Sequence, residues 1–110
     1  MGAEQKLRTN PGEVTVSFEF SRHVGPRFVH GAVTLQFSRG NGFEFRSEAA
    51  WPQEHYTAAI EGAVRDVLSE LGALESTACL LRSVRWDEVN SCEVGFVAAA
   101  REATRAAFEV

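Results

Sequence analysis

A change of hydrophobic period partway along the chain constrains its fold more than any other feature. In the first half apolar residues alternate one by one, and in the second half they recur every three or four positions. Val14, Val16, Phe18 and Phe20 alternate with Thr15, Ser17, Glu19 and Ser21, and Val33, Leu35 and Phe37 alternate with Thr34, Gln36 and Ser38. Successive side chains of a strand point to opposite faces, so each run predicts a strand with one buried and one wet face. Arg22 to His30 between them reads as a loop broken by Gly25-Pro26. Gly40-Asn41-Gly42, where positive φ costs little, turns the chain into a third strand at Phe43-Glu44-Phe45-Arg46, which completes a three-stranded antiparallel meander. Residues 1–12 show no period and end in the turn-forming cluster Asn10-Pro11-Gly12. They are predicted to be a flexible lead-in to a single domain at residues 13–110.

Tyr56, Ala59, Ile60, Ala63, Val64, Val67, Leu68 and Leu71 follow helical spacing, with Pro52 placed for a first turn and Gly72 for a stop. Glu54, Glu61, Asp66 and Glu70 form the solvated side of this helix, which His55 joins as a surface residue near its start. Gly62 costs roughly 1 kcal/mol relative to Ala inside a helix, and so predicts close approach of a strand or of the second helix. Thr77 to Val84 reads as a fourth strand and Trp86-Asp87-Glu88-Val89 as a loop. Asn90 with Glu93 three residues on matches a capping box at the start of an alanine-rich final helix. The order β-β-β-α-β-α predicts a two-layer α+β domain, a four-stranded sheet with two helices on one face. The uncovered face is expected to leave an apolar or aromatic patch for a protein partner.

Composition excludes several functions. With 110 residues, 45% hydrophobic content, eight Phe and two Trp, the chain suits one globular domain. It has no apolar run near the roughly 18–20 residues that cross a bilayer, and its polar start does not resemble a signal peptide, so a cytoplasmic location is expected. Cys79 and Cys92, with His23, His30 and His55, lack metal-ligand spacing, so a reduced protein without metal or cofactor is expected. A net charge of −4 argues against a dedicated nucleic-acid binder and restricts any RNA contact to a local patch. Lys6 is the sole lysine and no glycine-rich phosphate loop precedes it, so GTP hydrolysis is not expected. Cys92, at the start of a helix, is the candidate nucleophile, but no His or acid is spaced to serve it. Cys79 is expected in the core.

The segment Asn90-Ser91-Cys92-Glu93-Val94-Gly95-Phe96 resembles the asparagine/aspartate-Ser-Ser-Glu-hydrophobic-Ala-Phe signature that begins the last helix of domain IV in elongation factor G. The alternating segments at 14–20 and 33–37 lie in register on that family's first two strands, and Arg22, Gly25, Arg27 and Gly31 match its intervening loop. The similarity continues through Gly42-Phe43-Glu44-Phe45, Pro52-Gln53-Glu54 and Gly62, and so covers nearly all of the chain after residue 13. It implies a fold like domain 2 of ribosomal protein S5, with a left-handed crossover. Pattern alone would have predicted a right-handed one.

In that family two loops at one end of the domain enter the decoding centre beside messenger and transfer RNA. They correspond here to Arg22–Gly31 and Arg82–Val89. The candidate contact residues are therefore Arg22, His23, Arg27 and His30 in the first loop and Arg85, Trp86 and Asp87 in the second. Arginine suits phosphate because its planar fork donates two hydrogen bonds. Trp86 either stacks on a base or packs at the sheet edge. The chain departs from the family at Pro26 and Phe28, at Cys92, where the family has Ser, and at Asp87, which takes the place of a tip histidine and would repel phosphate. Three functional classes follow: a non-enzymatic module touching ribosome or RNA through the two loops, a protein-interaction module using the open sheet face or Trp86, and an enzyme using Cys92. The last is the least expected.

Overall fold

The computed structural model describes residues 2–10, 12–51, 56–87 and 89–108. Its elements are β1 (Gly2–Asn10), β2 (Glu13–Val24), β3 (Arg27–Arg39), β4 (Glu44–Ser47), α1 (Thr57–Glu70), β5 (Thr77–Arg85) and α2 (Glu93–Ala107), with a single 3-10 turn at Leu74–Ser76 ahead of β5. The strands form one mixed sheet in the order β1-β2-β3-β5-β4. No described helix is long and apolar enough to cross a membrane.

The alternation seen in the sequence builds the core. Val14 and Val16 of β2, Val33, Leu35 and Phe37 of β3, and Cys79 and Leu81 of β5 are buried on one face of the sheet. There they meet Ile60, Ala63, Val64 and Leu68 of α1 and Phe96, Ala99, Ala100 and Ala103 of α2. Both helices therefore cover the same face. Each fully buried Val, Leu, Ile or Phe contributes about 1.5–3 kcal/mol. α1 stops as expected. Gly72 takes φ 70° and the Ala73 N–H bonds back to the Leu68 carbonyl at 2.9 Å, the six-to-one bond of a Schellman motif.

Several expectations are corrected. The sheet has five strands, because residues 2–10 are not a loose lead-in but an edge strand antiparallel to β2, from Gly2↔Phe20 to Asn10↔Glu13. Glu4, Lys6 and Arg8 alternate as polar residues in the sequence, so there was no apolar period to read. β4 does not close a meander on β3. It pairs parallel with β5, Phe45 opposite Cys79, and β5 lies between β3 and β4. Local turn chemistry cannot reveal that insertion, because β5 arrives from more than thirty residues downstream and takes the central place its buried Cys79 and Leu81 require. Pro52, Glu54 and His55, expected on the first helix, lie outside the described residues, and the described helix begins at Thr57. Gly62 is exposed, and a Cβ built on it meets nothing within 4 Å, so no element approaches it closely.

The close approach occurs elsewhere, between Gly31 of β3 and Gly95 of α2. A Cβ on Gly31 would stand 2.6 Å from the Gly95 carbonyl oxygen, and one on Gly95 would stand 2.9 Å from the Gly31 nitrogen. The segment before α2 then runs alongside β3 as a parallel bridge, His30↔Ser91, with the His30 N–H on the Asn90 carbonyl at 3.0 Å and the Cys92 N–H on the His30 carbonyl at 3.3 Å. This extended pairing delays the helix, whose N-cap is Cys92 without a side-chain cap bond. The capping box of Asn90 and Glu93 is therefore not formed.

Candidate functional site

The expected loop Arg22–Gly31 is mostly strand. β2 runs to Val24, β3 resumes at Arg27, and the two-residue turn between them has Gly25 at φ 64° followed by Pro26, whose ring holds φ near −65°. Gly at the first and a negative φ at the second position match a type II′ hairpin turn. Among the described residues, β1 supports β2 as far as Phe20, and β3 meets a neighbour outside the hairpin no further than His30. Residues 21–29 thus form a two-stranded arm reaching about 16 Å past His30, at roughly 3.3 Å per residue, with Val29 at its base buried at 4% exposure.

Arg22, His23 and Arg27 are exposed on this arm, and among the described residues neither arginine has an acidic partner. The Arg22 guanidinium lies over the Phe20 ring at 5.1 Å. From Phe20 to Phe43 the sequence contains no Asp or Glu, an uncharged-to-basic stretch holding Arg22, Arg27 and Arg39.

The other four candidates are tied into the structure. His30 is only 7% exposed. Its Nε2 lies 2.8 Å from Glu19 Oε2 and its Nδ1 lies 2.8 Å from Ser91 Oγ. A carboxylate only accepts, so Nε2 carries the proton, and in neutral imidazole Nδ1 then accepts the Ser91 hydroxyl. Ser91 Oγ in turn accepts the Asp87 N–H at 2.8 Å. The order hydroxyl, imidazole, carboxylate is that of a hydrolase triad. Here the serine is also occupied by a backbone donor, and the chain of bonds links the base of the arm to the second loop. Arg85 adds its guanidinium to Glu19 Oε2 at 3.1 Å, while its side chain stays largely exposed.

Trp86 is drawn inward by a bulge. Leu35 faces Leu81 while Thr34 faces Ser83, so Arg82 is an extra residue and the parity of β5 reverses beyond it. Val84 and Trp86 consequently pack against the core. Trp86 joins Trp51, Tyr56 and Phe96 in a cluster in which every ring contacts the other three at 5.0–6.1 Å. Trp51 Nε1 also donates to Thr57 Oγ1 at 3.1 Å. Trp86 is half-buried in this cluster.

Asp87 is a turn residue. Its Oδ1 accepts the backbone N–H of Val89 at 2.9 Å and of Asn90 at 3.2 Å, and its Oδ2 takes the Asn90 side chain at 3.3 Å. These donors, Val89 foremost, hold its carboxyl below the usual carboxylate range. Burial pushes the Cys79 thiol far up, away from thiolate chemistry. Among the described residues no three His, Cys, Asp or Glu side chains come together to hold a metal.

The open face of the sheet is more polar than expected. Ser17 and Thr34 share a hydrogen bond at 2.8 Å, and Arg82 bridges Gln36 and Glu48 at 2.8 and 2.9 Å. Large exposed apolar side chains lie instead at Leu71, Val89, Val94 and Phe108. Glu19 and Ser91 were not singled out from the sequence. The two-residue turn would have revealed Glu19, since pairing Val24 with Arg27 sets the whole register and puts Glu19 and His30 on one face. Nothing local pointed to Ser91.

No protein-family model matches the chain, and no curated protein matches it. Among solved structures it is similar to a crystal structure from Thermus thermophilus, with a TM-score of 0.71 and 18% identity over 96% of this chain and 15% of that one. That likeness shows a shared α+β fold. The chain spans about 15% of the length of the structure it matches.

Proposed function

We propose that the chain is a non-enzymatic binding module built like domain IV of elongation factor G, on a fold of the ribosomal protein S5 domain 2 type, and that it contacts ribosomal RNA through the β2–β3 arm. One observation carries this reading: Arg22 and Arg27 are exposed, without acidic partners among the described residues, on an arm that projects past the rest of the sheet. Guanidinium groups without an ion pair, Arg22 at the base of the arm over the Phe20 ring and Arg27 beside its turn, meet phosphate without first giving up an acid. The overall charge of −4 is unevenly placed: no Asp or Glu lies between Phe20 and Phe43 in the sequence, and Glu19 is shared by His30 and Arg85, while Asp87 of the second loop is the acid that would repel phosphate.

Sedimentation with purified ribosomes tests it. Co-migration at low salt should weaken steeply with added salt, and Arg22→Ala and Arg27→Ala should each lower the slope of log K against log salt by roughly 0.7–0.9. Absence of co-migration at low salt would sink the reading. Val89 and Val94, 87% and 62% exposed, favour a protein partner as the second reading. In that case binding would survive both arginine substitutions and fail with Val94→Asp.

A further inference from the structure

The arm has two chemically different faces. Arg22 pairs with Val29 and Val24 with Arg27, so Arg22 and Arg27 are diagonal neighbours on one face, with Cα atoms about 7–8 Å apart. The opposite face carries His23 directly across from Phe28, and their rings meet edge to face at 5.1 Å and 77°. His23 is exposed and Phe28 half-buried. Between the two faces runs the outer edge of β3 at residues 27 and 28, with which no described strand pairs, while Val29, across from Arg22, is buried at 4% exposure.

We infer that the arm's ligand is a single-stranded RNA segment that crosses this free edge, with its phosphates on Arg22 and Arg27 and one base on the Phe28–His23 pair. The inference rests on the RNA reading above and names the kind of RNA. The two faces discriminate because they point apart. A flexible single strand can lay its backbone against one face and turn an unstacked base onto the other. A duplex cannot, since its bases are paired inside and the major groove of A-form RNA is deep and too narrow for side chains to read. Recognition of unpaired RNA combines a basic track for the backbone with aromatic rings for the bases, and each of these occupies one face here. Phe28 is thus the residue that determines the preference, while the arginines set the strength.

Fluorescence anisotropy with a short labelled oligoadenylate, alone and annealed to oligouridylate, separates the possibilities. The protein should bind the single strand at least fivefold more tightly than the duplex. Phe28→Ala should weaken single-strand binding roughly 5- to 150-fold, the range of one lost base stack, while leaving the salt slope and duplex binding unchanged. Phe28→Trp should restore the preference. The comparison of the two RNAs uses the natural protein and does not depend on any variant folding. Equal affinity for both RNAs, or a Phe28→Ala variant that folds and still prefers the single strand, overturns the inference and leaves the RNA reading standing provided Arg27→Ala weakens binding. No binding to either RNA at low salt removes both.

Discussion

The contact between Gly31 and Gly95 predicts a large loss from adding one methyl group. In Gly31→Ala the new Cβ points into the backbone of the first turn of α2, 2.6 Å from the Gly95 carbonyl oxygen. Backbone cannot swing aside as the end of a flexible side chain can, so α2 has to lift from β3. Overpacking of this kind costs about 1–3 kcal/mol. Lifting α2 also strains the two hydrogen bonds on either side of His30, to Asn90 and Cys92. At about 0.5–1.5 kcal/mol each, they bring the total to roughly 2–6 kcal/mol, out of a typical 5–15. Gly31 does not have positive φ, so its backbone accepts Ala, and the roughly 0.5–1 kcal/mol that Ala gains over Gly inside a strand reduces the net loss to about 1–5 kcal/mol. At about 4 °C per kcal/mol the melting temperature should fall by at least roughly 4 °C. Gly62→Ala is the control. It faces open space in the middle of α1 and should raise stability by about 0.5–1 kcal/mol. Thermal melts by circular dichroism read both. A Gly31→Ala protein melting within about 2 °C of the natural one would refute the reasoning.

Trp86→Ala should destabilise by about 3 kcal/mol, the low end for removing a core tryptophan, because it opens the four-ring cluster with Trp51, Tyr56 and Phe96. A chemical melt unchanged by the substitution would return Trp86 to the surface as a contact residue. The Asp87 turn predicts a pH dependence whose sign follows from its lowered carboxyl pKa. A depressed folded pKa means the stabilisation is fully present above the unfolded value of about 3.9 and is lost as pH falls through the folded one. The difference in melting temperature between the natural protein and Asp87→Ala should therefore hold from neutral pH down to about 5 and shrink below about 4. A gap that does not narrow in acid contradicts this.

The layers of the domain were legible because they rest on periodicity. One face of β2 and β3 had to be buried, one stripe of each helix had to cover it, and Gly72 had to end α1; each follows from local geometry that the residues express directly. The placement of β1 and β4 did not follow. A polar edge strand has no apolar pattern to show, and only the arrival of β5 between β3 and β4 determines that β4 runs parallel and at the margin. The site divides in the same way. Arg22 and Arg27 were visible as basic residues flanking a turn. That they share one face of a projecting arm, opposite Phe28 and His23, depends on strand register. Trp86 turns inward because a bulge at Arg82 reverses the parity of β5, and His30 ties Glu19 to Ser91 because the chain before α2 pairs with β3 after a separation of sixty-one residues. Sequence expresses what each segment must bury; which segments become neighbours, and hence which polar groups satisfy one another, is decided only when the sheet assembles.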